Sequence, residues 1–499
     1  MLHGTEDAAG LRKIEDFPAV LALCFGVVFL AGLGLRLHGI ALKPFWMDEV
    51  TTIKRASLPL GAMVRDSLFF HQLPAFFVVT SWVLPFGGDE FWVRLPPAVF
   101  GALSCALGFV IARGIGGLKP GLAAGMLFVM SPAMVQYGQE ARSYSMVICA
   151  ILIGLWGLVG LAQDEGGAGK FRFWLAYVLG TAAALNILSV ALFWFIAAQL
   201  AGAVLCRQRD GKFLRRWLLA QLPIILLCLP WFIAIKMLGQ RGSLGGLDWV
   251  PPLSAARIWW AFSGTYLLYV TSLIKVRVFA PGVAGLGAAV VVLALAGLVG
   301  LRRQRGLLAV LGIAVLCLPV ALLAVSLVTP VFMPRYLLWG AAPFFICAGL
   351  GFNLLPVRLQ WPALVLFGLL LAINLAPYYR DETKPRWDIA GSELFAGLHP
   401  RDLLLVDDSQ AVSMMNLYLH RKGEDLPANL WTKDVGRAAA WREGGGRVWA
   451  VQGAVGQVDH EDQQQFLRRI VVLGPPQFSE HAGLDILLLR FDGKRPTPG

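Results

Sequence analysis

Asp48 and Glu49 stand side by side in the run Pro44-Phe45-Trp46-Met47-Asp48-Glu49, just past the first long apolar segment. Ionised carboxylates are costly beside lipid, so an acidic pair in an aromatic stretch next to a span marks a candidate site. One of the two can serve as a general base, because apolar surroundings strengthen a carboxylate's hold on a proton. The same pair also suits the first turn of a helix, where the dipole favours negative charge.

Other residues could join this chemistry. His71 lies in His71-Gln72-Leu73-Pro74, as a structural imidazole or as an anion or metal partner. Arg94 closes the run from Gly87 to Pro96 at the mouth of a span, where a long basic side chain can snorkel. Glu140, Arg142 and Tyr144 fall in Tyr137-Gly138-Gln139-Glu140-Ala141-Arg142-Ser143-Tyr144. Glu140 and Arg142 are two positions apart and do not share a helix face, so they reach different partners. Arg335-Tyr336 follows Pro334 at the start of a late span, and a guanidinium there wants an anion such as phosphate. Metal dependence stays open, since Asp48, Glu49, His71 and Glu140 offer oxygen and nitrogen ligands for a divalent cation.

These residues need a membrane scaffold to position them. Of the 499 residues 57% are hydrophobic and 15% are charged, against roughly 25% charged in an average soluble domain. Apolar runs near the length of a span cover 17–39, 96–113, 121–136, 143–162, 172–188, 189–206, 217–237, 281–301, 306–328, 335–354 and 359–377. The expected fold is therefore mainly α, with about eleven spans. The first stretch reads as an uncleaved span, because no small-residue cleavage site follows it.

Charge supplies the orientation. Residues 1–377 carry 28 Lys and Arg against 14 Asp and Glu, whereas residues 378–499 carry 15 against 17. The basic excess belongs to the membrane half, where it reads as topology and not as a nucleic-acid footprint. With the N-terminus inside, the densest basic clusters fall on cytoplasmic segments: Arg12-Lys13, Arg113 with Lys119, Lys170 with Arg172, Arg207 to Arg216, Arg302 to Arg305, and Arg358. The external segments are then 40–95, 137–142, 238–280, 329–334 and the tail. Pro74 to Phe86 is too short to span comfortably and reads as an interfacial helix, and 251–280 looks similar.

The expected division is a membrane domain over 1–377 and an external α/β domain over 378–499. Strand-like runs at 403–406, 447–451 and 484–491 alternate with helix-compatible stretches at 387–398 and 459–469. All seven cysteines lie in or at the ends of apolar segments, which points to packing and not to a disulfide framework.

The ordered motifs resemble a known class. "FW-x-DE", then a Pro-apolar run and "F-x-x-R-L-P", then "SP…Y…EAR-x-Y" and "P-R-Y-L-L", are similar to the GT-C membrane glycosyltransferases. The nearest branch is the protein O-mannosyltransferase and aminoarabinose-transferase group, families 39 and 83. The resemblance implies a GT-C fold and a polyprenyl-phosphate-linked sugar donor, used at the external, periplasmic face of a plasma membrane. It implies Asp48 as the base that deprotonates an acceptor hydroxyl, with inversion at the anomeric carbon and Glu49 in support. Arg335 with Tyr336, His71 and a basic residue such as Arg241 or Arg257 would hold the donor phosphate. The acceptor would be lipid A or core glycan, another envelope glycan or glycolipid, or a protein hydroxyl. One departure stands out: relatives often carry Lys or His just before the first Pro of their "PP" run, where this chain has Gln72-Leu73-Pro74.

Other classes fit less well. A transporter tends to place charges within its spans and to carry inverted repeats, and here charges sit at span ends. A membrane scaffold leaves the external carboxylates without a role. A nucleotide-sugar enzyme lacks support, because the chain has no Walker A motif and no strand-linked GxGxxG.

Overall fold

The structure is a computed structural model that describes residues 18–164, 171–239, 250, 252–271, 278–279, 285–399, 401–407, 409–420, 430–453, 460–482 and 486–493. The chain separates into two compact units. The first comprises Met1–Ile40, Arg55–Val270 and Val278–Tyr378; the second comprises Ala41–Lys54, Thr271–Arg277 and Tyr379–Gly499.

The first unit is helical. In chain order it holds α1 (Pro18–Leu37), the end of α2 (Met47–Ala56), α3 (Leu60–Phe69), α4 (Ala75–Val83), α5 (Glu90–Gly116), α6 (Leu118–Met130), α7 (Pro132–Gln136) and α8 (Tyr144–Gln163). There follow α9 (Phe171–Ile187), α10 (Ala191–Gln208), α11 (Gly211–Leu238), α12 (Ala255–Thr265), α13 (Leu286–Gly300), α14 (Arg305–Ser326), α15 (Pro334–Gly351) and α16 (Val357–Arg380). All eleven expected spans fall on these helices. Among the described residues eight helices are long and apolar enough to cross a membrane by themselves. The bent pair α6–α7 makes a ninth, and α9 and α13 are shorter apolar helices.

The stretch 121–136, expected as one span, is broken by 56° between α6 and the following Pro132–Gln139 segment. Ser131 leaves the helical conformation and its hydroxyl accepts from the Met134 N–H, while Pro132 starts the next turn. The helix α15 is buried along almost its whole length and packs on α6, α13 and α14. Its small and apolar residues let neighbours approach closely, which drives helix association where lipid supplies no hydrophobic contrast.

The second unit holds the start of α2 and a small α/β fold. Its strands are β1 (Leu403–Val406), β2 (Trp431–Thr432), β3 (Val448–Gly453), β4 (Phe478–Ala482) and β5 (Ile486–Phe491), and its helices are α17 (Trp387–Gly397), α18 (Ser409–His420), α19 (Val435–Glu443) and α20 (His460–Ile470). The sheet order is β2-β1-β3-β5-β4, parallel from β2 to β3 and antiparallel through β5 and β4. Ala450 pairs with Leu405 on one side and with Leu489 on the other. Leu403, Leu405, Val448, Ala450, Phe466, Ile470 and Phe491 form one core, as expected for strands whose apolar runs are covered by helices. Asp402 closes the edge of this core: Arg447 donates to it at 2.5 Å and the Trp449 indole N–H at 3.2 Å.

Candidate functional site

The acidic pair is fixed within the second unit. Lys43 Nζ donates to Thr383 Oγ1 at 2.8 Å, and the Phe45 N–H donates to Tyr418 Oη at 2.6 Å. Lys384 Nζ donates to Glu49 Oε2 at 2.8 Å, with side-chain exposures of 3% and 0%. Glu49 Oε2 also accepts from the Trp46 N–H at 3.2 Å. That bond is half of a capping box, with the third helical residue reaching back to the residue before the helix. Both extremes of the sequence expectation are therefore present: the pair opens a helix, and it lies in an apolar shell that includes the buried Phe45 and Trp46.

The two carboxylates sit in different surroundings. Glu49 is fully buried and neutralised by Lys384. A buried ion pair adds little net stability, yet removing one partner strands the other charge, so the geometry of the segment depends on it. Asp48, one residue earlier, is only half-buried, and its own carbonyl accepts from Thr52 Oγ1 at 2.9 Å. The two carboxylates thus differ in burial, Glu49 enclosed and Asp48 partly exposed.

In the first unit four of the remaining candidates line a cavity of about 260 Å³, whereas Arg94, Glu140, Arg257 and Arg335 do not. Its walls include His71 and Gln72 from the loop before α4, Arg142 and Tyr144 from the start of α8, and Tyr336 from the start of α15. Phe76, Phe77 and Phe193 make the rest largely apolar. Four residues separated by up to 265 positions in sequence, His71, Arg142, Tyr144 and Tyr336, thus share one space. A guanidinium, two phenols and an imidazole against apolar walls suit an anionic head attached to a hydrocarbon chain.

Several residues hold this cavity in shape. His71 has φ 56°, a left-handed conformation that a non-glycine residue adopts only when its surroundings enforce it. Gln72 is fixed by Arg55, whose Nη1 donates to Gln72 Oε1 at 2.8 Å while its Nε pairs with Asp66 at 2.5 Å. The Arg55 guanidinium also lies over the Phe70 and Phe77 rings, at 5.3 and 5.0 Å. Burial lowers its pKa from the ordinary guanidinium value, and the Asp66 carboxylate opposes that shift. Gln72 thus has a buried cation beside it.

The run that carries Glu140, Arg142 and Tyr144 is pinned by backbone contacts. Gln139 Nε2 donates to the Arg36 and His38 carbonyls, and Gln139 Oε1 accepts from Tyr378 Oη at 2.7 Å. Arg36, buried within α1, donates to the carbonyls of Gly32, Phe128 and Met134 across the α6–α7 break. Its stem passes so close to Gly101 and Gly138 that a Cβ at either would sit 2.4 or 2.6 Å from Arg36 Nε. Glu140 is fully buried, and Tyr137 and Tyr144 meet edge to face.

Arg335 is buried at the start of α15, with its guanidinium 5.7 Å from the Tyr336 ring centre. Arg257 lies half-buried on α12, where the Ser254 hydroxyl caps its N–H at 3.3 Å. That helix packs on α15: Thr265 Oγ1 donates to the Pro334 carbonyl, and Trp260 and Met333 share a core with Tyr336. Arg241 lies outside the described residues. Arg94 does not snorkel: it is buried and its Nη1 donates to the Ile40 carbonyl at 2.7 Å, tying α5 to the end of the first span. Among the described residues no three His, Cys, Asp or Glu side chains stand close enough to hold a metal ion.

Lys384, Arg55 and Arg36 escape a reading of the sequence alone. Lys384 sits in the charged run Asp381-Glu382-Thr383-Lys384, which resembles a solvated linker. Arg36 does carry a signal, as a basic residue inside an apolar span.

No family model matches the chain, and no curated protein matches it in sequence. Solved structures do match in fold. ArnT from Cupriavidus metallidurans in the apo state superposes with a TM-score of 0.61 at 13% identity, over 95% of this chain and 100% of that one. The same protein bound to undecaprenyl phosphate gives 0.57 at 13% identity, over 96% and 100%. The Archaeoglobus fulgidus oligosaccharyltransferase tethered to an acceptor peptide with an NVT sequon gives 0.52 at 10% identity, over 87% and 69%. The chain has the GT-C fold of membrane glycosyltransferases, in a multi-pass helical arrangement with a small C-terminal sheet.

Proposed function

We propose that this chain is an inverting glycosyltransferase that moves a sugar from a polyprenyl-phosphate donor to a cell-envelope acceptor, lipid A or core glycan or another envelope glycan, at the external face of the plasma membrane. The observation that carries this is the first-unit cavity, which joins Arg142, Tyr144, Tyr336 and His71 to apolar walls. Its chemistry fits a phosphate on an isoprenoid chain. Fold likeness to a protein solved with undecaprenyl phosphate supports the same class of donor.

In this account Asp48 is the general base. It takes the proton of the acceptor hydroxyl as that oxygen attacks the anomeric carbon; the bond from the anomeric carbon to the phosphate oxygen breaks, and polyprenyl phosphate leaves as the anion. Arg335, Tyr336, Arg142 and His71 stabilise that leaving phosphate, with Arg257 and Arg241 as further cations. Glu49 keeps Asp48 in place through its bond to Lys384.

The test is reconstitution of the purified chain in vesicles with a polyprenyl-phosphate sugar and an envelope glycolipid extract. Polyprenyl phosphate should appear in step with glycosylated acceptor. A chain that binds the donor and releases no polyprenyl phosphate over background contradicts the proposal.

A further inference from the structure

A second groove, of about 520 Å³, lies between α9 and α11 in the first unit. Phe171, Trp174, Leu175 and Val178 line it from α9, and Arg216, Leu219 and Ala220 from α11. Trp174 is wedged against Phe213 and Trp217, with ring centres 5.2 and 6.3 Å apart. Its indole N–H is buried with no hydrogen-bond partner among the described residues.

Polarity along the groove is ordered. On α11 the cation comes first, Arg216 before Leu219 and Ala220, and on α9 the lining runs from Phe171, beside Arg172, through Trp174 to Leu175 and Val178. Both helices begin beside basic residues: Arg172 on α9, and Arg207, Arg209, Lys212 and Arg215 around the start of α11, against the single acid Asp210 in 207–216. By the bias of basic residues toward the inside, these starts face the cytoplasm. A groove that is cationic at the interface and apolar toward the bilayer centre has the polarity of one phospholipid. Basic pockets between spans on this side select anionic head groups.

We infer that the α9–α11 groove binds one anionic glycerophospholipid of the cytoplasmic leaflet, its phosphate on Arg216 and an acyl chain along Leu175, Val178 and Leu219. The wide apolar face that α11 turns outward, including Leu218, Leu222 and Leu226, continues the surface on which such a chain would lie. This site is separate from the donor cavity and does not rest on the activity proposed above.

Native mass spectrometry of the full chain released from nanodiscs of phosphatidylglycerol and phosphatidylcholine, mixed in equal parts, tests it. The wild type should retain one phosphatidylglycerol, favoured about fivefold over phosphatidylcholine. Arg216→Gln should remove the preference. Arg215→Gln, on the same basic rim but outside the groove lining, should leave it nearly intact. Leu175→Trp, which fills the groove without changing charge, should lose the retained lipid. Equal retention of the two lipids by the wild type would overturn the inference. So would equal losses in Arg215→Gln and Arg216→Gln, which would mean diffuse attraction to the rim.

Discussion

Glu49 and Lys384, 335 positions apart in the sequence, form an ion pair at 2.8 Å that is almost wholly shielded from solvent within the second unit. The pair fixes the first turn of α2 and with it the backbone of Asp48. Stranding one member of a buried pair costs about 3–5 kcal/mol, whereas replacing both with apolar groups is close to neutral. Lys384→Met should therefore lower thermal stability in detergent strongly, and Glu49→Leu with Lys384→Met should recover most of the loss. Additive losses in the double variant would show that the pair is not coupled.

Asp48 and Glu49 should separate when stability and turnover are measured together. Asp48→Asn removes the proposed base from a half-buried position and should cut turnover by roughly a hundredfold to ten-thousandfold, with melting unchanged. Glu49→Gln should lower both, because it weakens a structural bond. A fall in turnover for Glu49→Gln with no fall in stability would give Glu49 a direct part in the chemistry.

Gln72→Lys, which sets a second cation beside Arg55, should be harmful here. Arg55 already donates to Gln72 Oε1, and a second cation beside that buried guanidinium would meet repulsion and lose an acceptor. A stability loss of about 1–3 kcal/mol is expected by chemical or thermal unfolding. A variant as stable as the parent would show that the Arg55–Gln72 bond carries no weight.

Arg142 lines the first-unit cavity, the proposed donor site, so its effect should fall on the donor. Arg142→Gln should weaken donor use about tenfold to a hundredfold, the scale of a charge-assisted bond to phosphate. Acceptor dependence should stay nearly the same. Initial rates over a donor series would show this, and an effect confined to the acceptor would place Arg142 elsewhere in the reaction.

Gly138→Ala tests the support beneath the cavity. The added Cβ would press on Arg36 Nε and on the bonds that hold the α6–α7 break. Overpacking of this kind costs about 1–3 kcal/mol, and lowered stability with impaired donor binding is the expected pair of results.

The spans are legible in the sequence because an uninterrupted apolar run of about 20 residues matches the thickness of a bilayer's hydrocarbon core. The strands Leu403–Val406 and Ile486–Phe491 are legible for a similar reason, as short apolar runs between polar stretches. Trp431–Thr432 is not, because a two-residue strand gains its shape from β1 and not from its own pattern. The break at Ser131 hides inside a continuous apolar run, although Ser131-Pro132 is a boundary signal. Of the candidate site, His71, Arg142, Tyr144 and Tyr336 stand out by type and by the common external side that the bias of basic residues predicts. Their meeting in one cavity depends on packing. Lys384 is illegible because nothing local distinguishes a buried lysine from its solvated neighbours in a charged run.

The central claim is lipid-linked sugar transfer that depends on Asp48. Mass spectrometry of envelope lipids and glycans tests it directly, in cells that lack the chain, carry it, or carry Asp48→Asn. One sugar should be missing from one envelope component in the deletion and in Asp48→Asn, and should return with the wild type. Identical profiles in all three, or full restoration by Asp48→Asn, would contradict the account.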